Sequence, residues 1–157
     1  MKDKEIHDSF EDATAWYIAQ QMHKEVSITG GEPLLVLPRV IMFTQILRYF
    51  NPDVKLWLYT NGELLTLEMV HLLNACGING LNVSLHNWDK INITLLEWIH
   101  VHDMKVRFLV GRHEVNHEMV EIANKFEIPM RVWKIDDCKD MPFESRYRLK
   151  DPEMRWS

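Results

Sequence analysis

The sequence predicts an α/β domain of repeated strand–helix units, with about five parallel strands joined by crossover helices. Three observations predict it. Runs of β-prone residues begin near positions 26, 54, 81, 105 and 130, a spacing of about 25 residues. Each of the first four runs is followed by a segment with the apolar periodicity of a helix. Glycine, asparagine or other polar residues punctuate the step from run to helix. Right-handed crossovers then place every strand C-terminus on one side of the sheet.

The elements follow in order. Ser9 and Asp12 form a capping box ahead of Ala13, Trp16, Tyr17, Ala19 and Gln20, so a helix is expected to about His23. Val26-Ser27-Ile28-Thr29 is a short strand stopped by Gly30-Gly31. Pro38 opens a helix with Val40, Ile41, Phe43, Ile46, Leu47 and Phe50 as apolar positions, and Asn51-Pro52 ends it. Residues 54–59 form a strand stopped by Asn61-Gly62. Thr66 caps a helix through Met69, Val70, Leu72 and Leu73, closed by Gly77. Residues 81–85 form a strand, and a helix is expected from Trp88 or Asp89 to about His102. A strand at 105–110, a helix at 116–126 and a strand at 130–135 complete the domain, assigned to residues 1–135. Residues 136–157 read as a polar C-terminal tail with Phe143, Tyr147 and Trp156 as aromatic anchors.

Composition bounds the function. The chain has 157 residues, 46% hydrophobic and 26% charged, which is ordinary globular usage rather than that of a disordered chain. Its net charge of −5 gives no general attraction for nucleic acid or anionic membranes. The polar start, Met1-Lys2-Asp3-Lys4-Glu5, is not a secretory segment, and no uninterrupted apolar run approaches the roughly 20 residues that span a bilayer. Two cysteines, Cys76 and Cys138, lie far apart and form no C-x-x-C pair. The low cysteine content fits a reducing, cytoplasmic setting. Cys76 reads as a buried thiol. Trp57, Trp88, Trp98 and Trp133 read as core or rim packing rather than a stacking platform for nucleic acid.

Ligands of parallel βα folds gather where strands end. The first strand ends in Thr29-Gly30-Gly31-Glu32-Pro33. Two glycines allow close backbone approach, their N–H groups can face a ligand, and Glu32 adds a carboxylate. Such a set suits a small ligand carrying both an amine and a carboxylate. The next two strands end in Thr60-Asn61-Gly62 and Ser84-Leu85-His86-Asn87, which put hydroxyl, amide and imidazole groups on the same rim. Gly-Gly and Asn-Gly are also common turn dipeptides, and Ser84 and His86 have bland readings as a strand hydroxyl and a surface histidine. Joint placement at successive strand ends favours a site.

Residues 26–35, with Gly30-Gly31-Glu32-Pro33 at their centre, resemble the second-strand Gly-Gly-Glu-Pro motif of radical S-adenosylmethionine (radical SAM) enzymes. Leu58-Tyr59-Thr60-Asn61-Gly62 and Val83-Ser84-Leu85-His86 resemble that family's third and fourth strand ends. Residues 109–111 and 132–134 resemble its later strands. The resemblance covers roughly residues 8–135 and implies a partial (β/α) barrel lacking the usual first strand. It implies S-adenosylmethionine as cofactor, with Gly30, Gly31, Glu32 and Pro33 at the methionyl amine and Asn61 and Ser84 lining the pocket. It further implies that Glu32→Gln weakens binding with little change in melting temperature. The family's C-x-x-x-C-x-x-C motif is absent here, so a [4Fe–4S] cluster is not expected in this chain alone. Radical chemistry then needs a cluster from a missing N-terminal piece or a partner. The missing first strand implies an exposed edge near Val26 and Thr29, open to a second copy or a partner chain.

Two other readings stand beside this one. One is a non-catalytic interaction module on the same fold. His113-Glu114-Val115-Asn116-His117 matches H-E-x-x-H, the pattern of a helix-borne zinc site in metal-dependent hydrolases. It starts just after a strand end, which puts His113 in a loop, and no clear third ligand follows. His100 and His102, two apart, read as surface residues at a helix end.

Overall fold

A computed structural model describes residues 18–133. Ser9, Asp12, Cys138 and the polar tail lie outside the described residues. Five strands form one all-parallel sheet: β1 (Glu25–Ile28), β2 (Lys55–Thr60), β3 (Gly80–Ser84), β4 (Lys105–Gly111) and β5 (Met130–Trp133). The strands lie in sequence order, each hydrogen-bonded to the next. Four helices cross between them: α1 (Leu37–Phe50), α2 (Leu67–Cys76), α3 (Ile93–His102) and α4 (His117–Phe126). The architecture is the partial parallel α/β arrangement that the strand spacing predicts.

The two-residue period of the strands divides the sheet into faces. Leu56 and Leu58, Leu81 and Val83, and Val106, Phe108 and Val110 are buried in one core with the helices. The opposite face carries Trp57, Tyr59, Asn82, Ser84, Arg107 and Leu109. That polar alternation marks a wall that looks onto something other than the core.

Helix ends follow local chemistry. The Thr66 hydroxyl accepts from Met69 N–H at 3.2 Å and Gly77 closes α2 in the left-handed region, as expected. Asn116 accepts from Met119 N–H at 2.9 Å and starts α4. The helix expected from Trp88 or Asp89 begins later. Residues Trp88–Lys90 form a 3₁₀ turn, and the side chain of Asn92 caps Leu95 N–H at 3.1 Å, so α3 starts at Ile93. Residues 18–20 are helical and turn out through Gln21 and Met22, consistent with a first helix ending near His23.

One helical stretch, Pro33–Phe50, is 18 residues long and passes a length-and-composition test for a membrane span. It buries Leu34, Val40, Phe43 and Leu47 in the domain core. Its Arg48 is tied to two loops by four hydrogen bonds: to Pro52 O (2.7 Å), Val54 O (2.5 Å), Gly77 O (2.5 Å) and Asn79 Oδ1 (2.9 Å). These contacts make it a packed crossover helix of the sheet.

Cys76 is buried, and its thiol donates to Leu73 O at 3.2 Å. Burial pushes the thiol upward from its ordinary pKa, which keeps it protonated and inert. Trp57 is buried, and Trp88 packs edge-on against Phe108, with ring centroids 6.3 Å apart. Both act in packing, as read from the sequence.

His100 departs from its reading as a surface residue. It is half-buried at the end of α3, and its Nδ1 accepts from Val106 N–H at 3.1 Å. That bond requires an unprotonated Nδ1. Burial, then the charge of Lys105, holds its pKa below the usual histidine value, against a smaller opposing pull from Glu127. The unfolded chain therefore binds the proton more readily, and stability rises with pH across this window. The contribution is fully present above about pH 6.5, the unperturbed value, and is lost as pH falls through the folded-state value. Denaturant midpoints between pH 7.5 and 5 should fall more steeply for wild type than for His100→Asn, whose Oδ1 can accept without titrating. Parallel slopes would remove His100 from this role.

Candidate cofactor site at the strand ends

The rim after β1 is built around Glu32. Gly30 and Gly31 both have positive φ, +88° and +48°, which turns the chain sharply off the strand. A Cβ on either would meet no atom of the described residues within 4 Å, so among these the space over the turn is open. Glu32 then caps a 3₁₀ turn, Pro33–Val36, with Pro33 buried in its first position. Its Oε2 accepts from Leu34 N–H at 3.0 Å.

The same carboxylate reaches across to β2. The Thr60 hydroxyl lies 2.8 and 3.0 Å from its two oxygens, and Asn61 N–H donates to Oε1 at 2.8 Å. Three donors converge on a group with about four acceptor positions, which leaves roughly one for a ligand. Glu32 is therefore a clasp between two strand ends as well as a candidate ligand contact. The sequence-based expectation that Glu32→Gln leaves stability nearly unchanged is corrected here. An amide in place of one oxygen sets a donor against a donor. Glu32→Gln is expected to cost about 1–3 kcal/mol, measurable as a lowered denaturation midpoint.

The clasp continues along the rim. Asn61 Oδ1 accepts from Glu63 N–H at 3.0 Å, and its NH2 has no partner among the described residues. Glu63 receives Asn87 Nδ2 at 3.1 Å and pairs with Lys90 at 3.7 Å, joining the ends of β2 and β3. His86 lies 3.5 Å from Glu114, which follows β4. Ser84 ends β3, half-buried, opposite Leu109. The residues read from the sequence, Gly30 to Pro33, Asn61 and Ser84, thus stand on the ends of three adjoining strands. Thr60, Glu63 and Glu114 were not singled out as site residues. Thr60 carried a usable signal, a hydroxyl directly beside Asn61-Gly62 at a strand end.

The H-E-x-x-H pattern is broken by the fold. His113 and Glu114 lie in a 3₁₀ turn, Asn116 caps α4, and only His117 is helical. His117 pairs instead with Glu121 at 2.9 Å, one turn along. The two histidines do not share a helical face.

A family profile described as "Radical SAM superfamily" matches residues 3–126. The chain belongs to the radical SAM superfamily. GTP 3′,8-cyclase of Aliarcobacter butzleri (strain RM4018) is 34% identical to this radical SAM chain over 93 residues, which are 59% of it and 27% of the cyclase. The chain thus spans about a quarter of that relative. Among solved structures, Streptococcus suis SuiB bound to S-adenosylmethionine superposes with a TM-score of 0.59 at 19% identity, covering 78% of this chain and 33% of SuiB. The native anSMEcpe structure with bound AdoMet gives 0.63 at 15% identity, covering 93% and 47%. At these identities the likeness is one of fold, and it is the radical SAM partial barrel.

Proposed function

We propose that this chain supplies the S-adenosylmethionine-binding rim of a radical SAM unit. The observation that carries the reading is the Gly30-Gly31 turn, open above both glycines and set beside the clasped Glu32 carboxylate. Backbone N–H groups can approach a ligand there without a side chain in the way. The remaining acceptor capacity of Glu32 suits the methionyl ammonium, and the NH2 of Asn61 and the Ser84 hydroxyl line the same rim.

The iron–sulfur cluster does not fit this chain's residues. The sequence has two cysteines, and Cys76 is buried in the core on α2, where its thiol is held protonated. A [4Fe–4S] cluster of this family needs three thiolates close together. A cluster, which supplies the electron for reductive cleavage of the cofactor, then comes from another chain or another segment. β1 stands at the edge of the sheet and, among the described residues, pairs with β2 alone. Its outer edge suits an added strand bearing those thiolates. Amide exchange at residues 25–28 should be fast in the dilute monomer and slow once such a partner is added.

Calorimetric titration with S-adenosylmethionine tests the site. Saturable binding is expected in wild type without iron. Gly31→Val should abolish it. Asn61→Asp, which keeps the acceptor for Glu63 N–H and removes the donor, should weaken it roughly tenfold at unchanged stability. His113→Ala should leave it intact. Absence of binding at millimolar ligand would overturn the cofactor reading in favour of an interaction module.

A further inference from the structure

A second concavity lies mid-strand on the polar face of the sheet, apart from the glycine turn. Tyr59, Asn82 and Arg107 stand side by side in register on β2, β3 and β4. Leu109, two residues beyond Arg107 and on the same face, pairs with Arg131 of β5. With Pro129 these residues line a cavity of about 190 Å³, and among the described residues no acidic side chain lines it.

The two arginines are differently held. The guanidinium carbon of Arg107 sits 3.5 Å from the centre of the Trp57 ring, so its plane is steadied by stacking. Its closest carboxylate contact is Glu25 at 3.9 Å, at the exposed edge of the sheet. Arg131 is exposed and has no ion pair among the described residues. Asn82, beside Arg107 on β3, is buried. Two cations thus share one wall, beside neutral hydrogen-bonding groups, with Glu25 at 3.9 Å from Arg107 their one carboxylate contact among the described residues. An anion relieves that repulsion, and a stacked guanidinium loses little freedom on receiving it.

We infer that this concavity holds an oxyanion of the substrate, a carboxylate or a phosphoryl group, between Arg107 and Arg131, with Tyr59 and Asn82 as neutral partners. The word substrate rests on the cofactor reading of the rim; the anion site stands on its own residues. The test is calorimetric titration of the full chain with inorganic pyrophosphate and, separately, malonate, at constant ionic strength. One saturable site is expected for at least one probe, and the tighter probe tells phosphoryl from carboxylate. Arg131→Gln, a change at an exposed position, should weaken it roughly tenfold or more. Arg107→Lys keeps the charge but loses the planar fork, and should weaken it as well. Arg112→Gln, outside the cavity, should not. Failure of both probes to saturate at tens of millimolar, or equal binding by all variants, would overturn the inference. Anion binding without S-adenosylmethionine binding would sink the rim reading alone; the reverse result would sink this one alone.

Discussion

Gly80→Ala is expected to destabilise the domain by about 3 kcal/mol, the upper end of ordinary overpacking costs. A methyl group at Gly80 would fall well inside contact distance of three carbons of the Trp57 ring. Both residues are buried, and they are register partners on β2 and β3. The indole therefore lies across the one backbone position that offers it room. It cannot swing away cheaply, because Arg107 stacks on its other neighbourhood at 3.5 Å. Trp57→Leu should cost stability by itself, through lost burial and a cavity. The double variant should recover much of what Gly80→Ala loses, since the ring that clashes is gone. Equilibrium denaturation of the four proteins gives the coupling. Strict additivity would show that the two sites do not contend for the same space.

Arg48→Ala is expected to lower stability by a similar amount, about 3 kcal/mol, for a different reason. The guanidinium serves Pro52 O, Val54 O, Gly77 O and Asn79 Oδ1 at once. It thereby pins the end of α1 to the loop entering β2 and to the loop leaving α2. Asn79 Oδ1 also accepts from Leu56 N–H at 2.7 Å, so the network reaches into the sheet. Burial lowers the pKa of Arg48, yet it remains charged at neutral pH. Removing it strands several partly buried acceptors, each costing on the order of 1 kcal/mol or more. Arg48→Lys should rescue only part of the loss, because a single ammonium cannot span four acceptors on two loops. Full rescue by lysine in denaturant titration would show that charge, and not the planar fork, holds these loops.

Neither of these two effects was legible in the sequence, while the architecture was. Strand positions are read from runs such as residues 54–59 because alternation and turn residues are local signals. Residues 66 and 77 were legible as caps for the same reason. Trp88 misled because an apolar residue after a strand end resembles a helix start, whereas Asn92, four residues on, supplies the cap that α3 uses. Glu32 was legible as a candidate site residue but not as a clasp, since its donors Thr60 and Asn61 lie 28 and 29 residues away. Arg107 and Arg131 carry no motif or spacing that singles them out in the sequence. Their meaning depends on register, which sets Arg107 beside Asn82 and Arg131 beside Leu109, and register is a tertiary fact. His100 was misread because its partner, the backbone of Val106, leaves no mark in composition.

The strict neighbour order of the sheet has a consequence for assembly. Each strand bonds to the strand next in the chain, and no later strand is inserted between earlier ones. Contacts are therefore dominated by adjacent βα units, as in repeat proteins, and a unit can add to a preformed edge without any other being displaced. Such a sheet tolerates being divided between polypeptides at its loops. A strand bearing cluster ligands could join the β1 edge in trans as readily as in cis, with only the loss of effective concentration that a covalent linker provides. For any strand that pairs with this edge, affinity is tuned by the length of its tether.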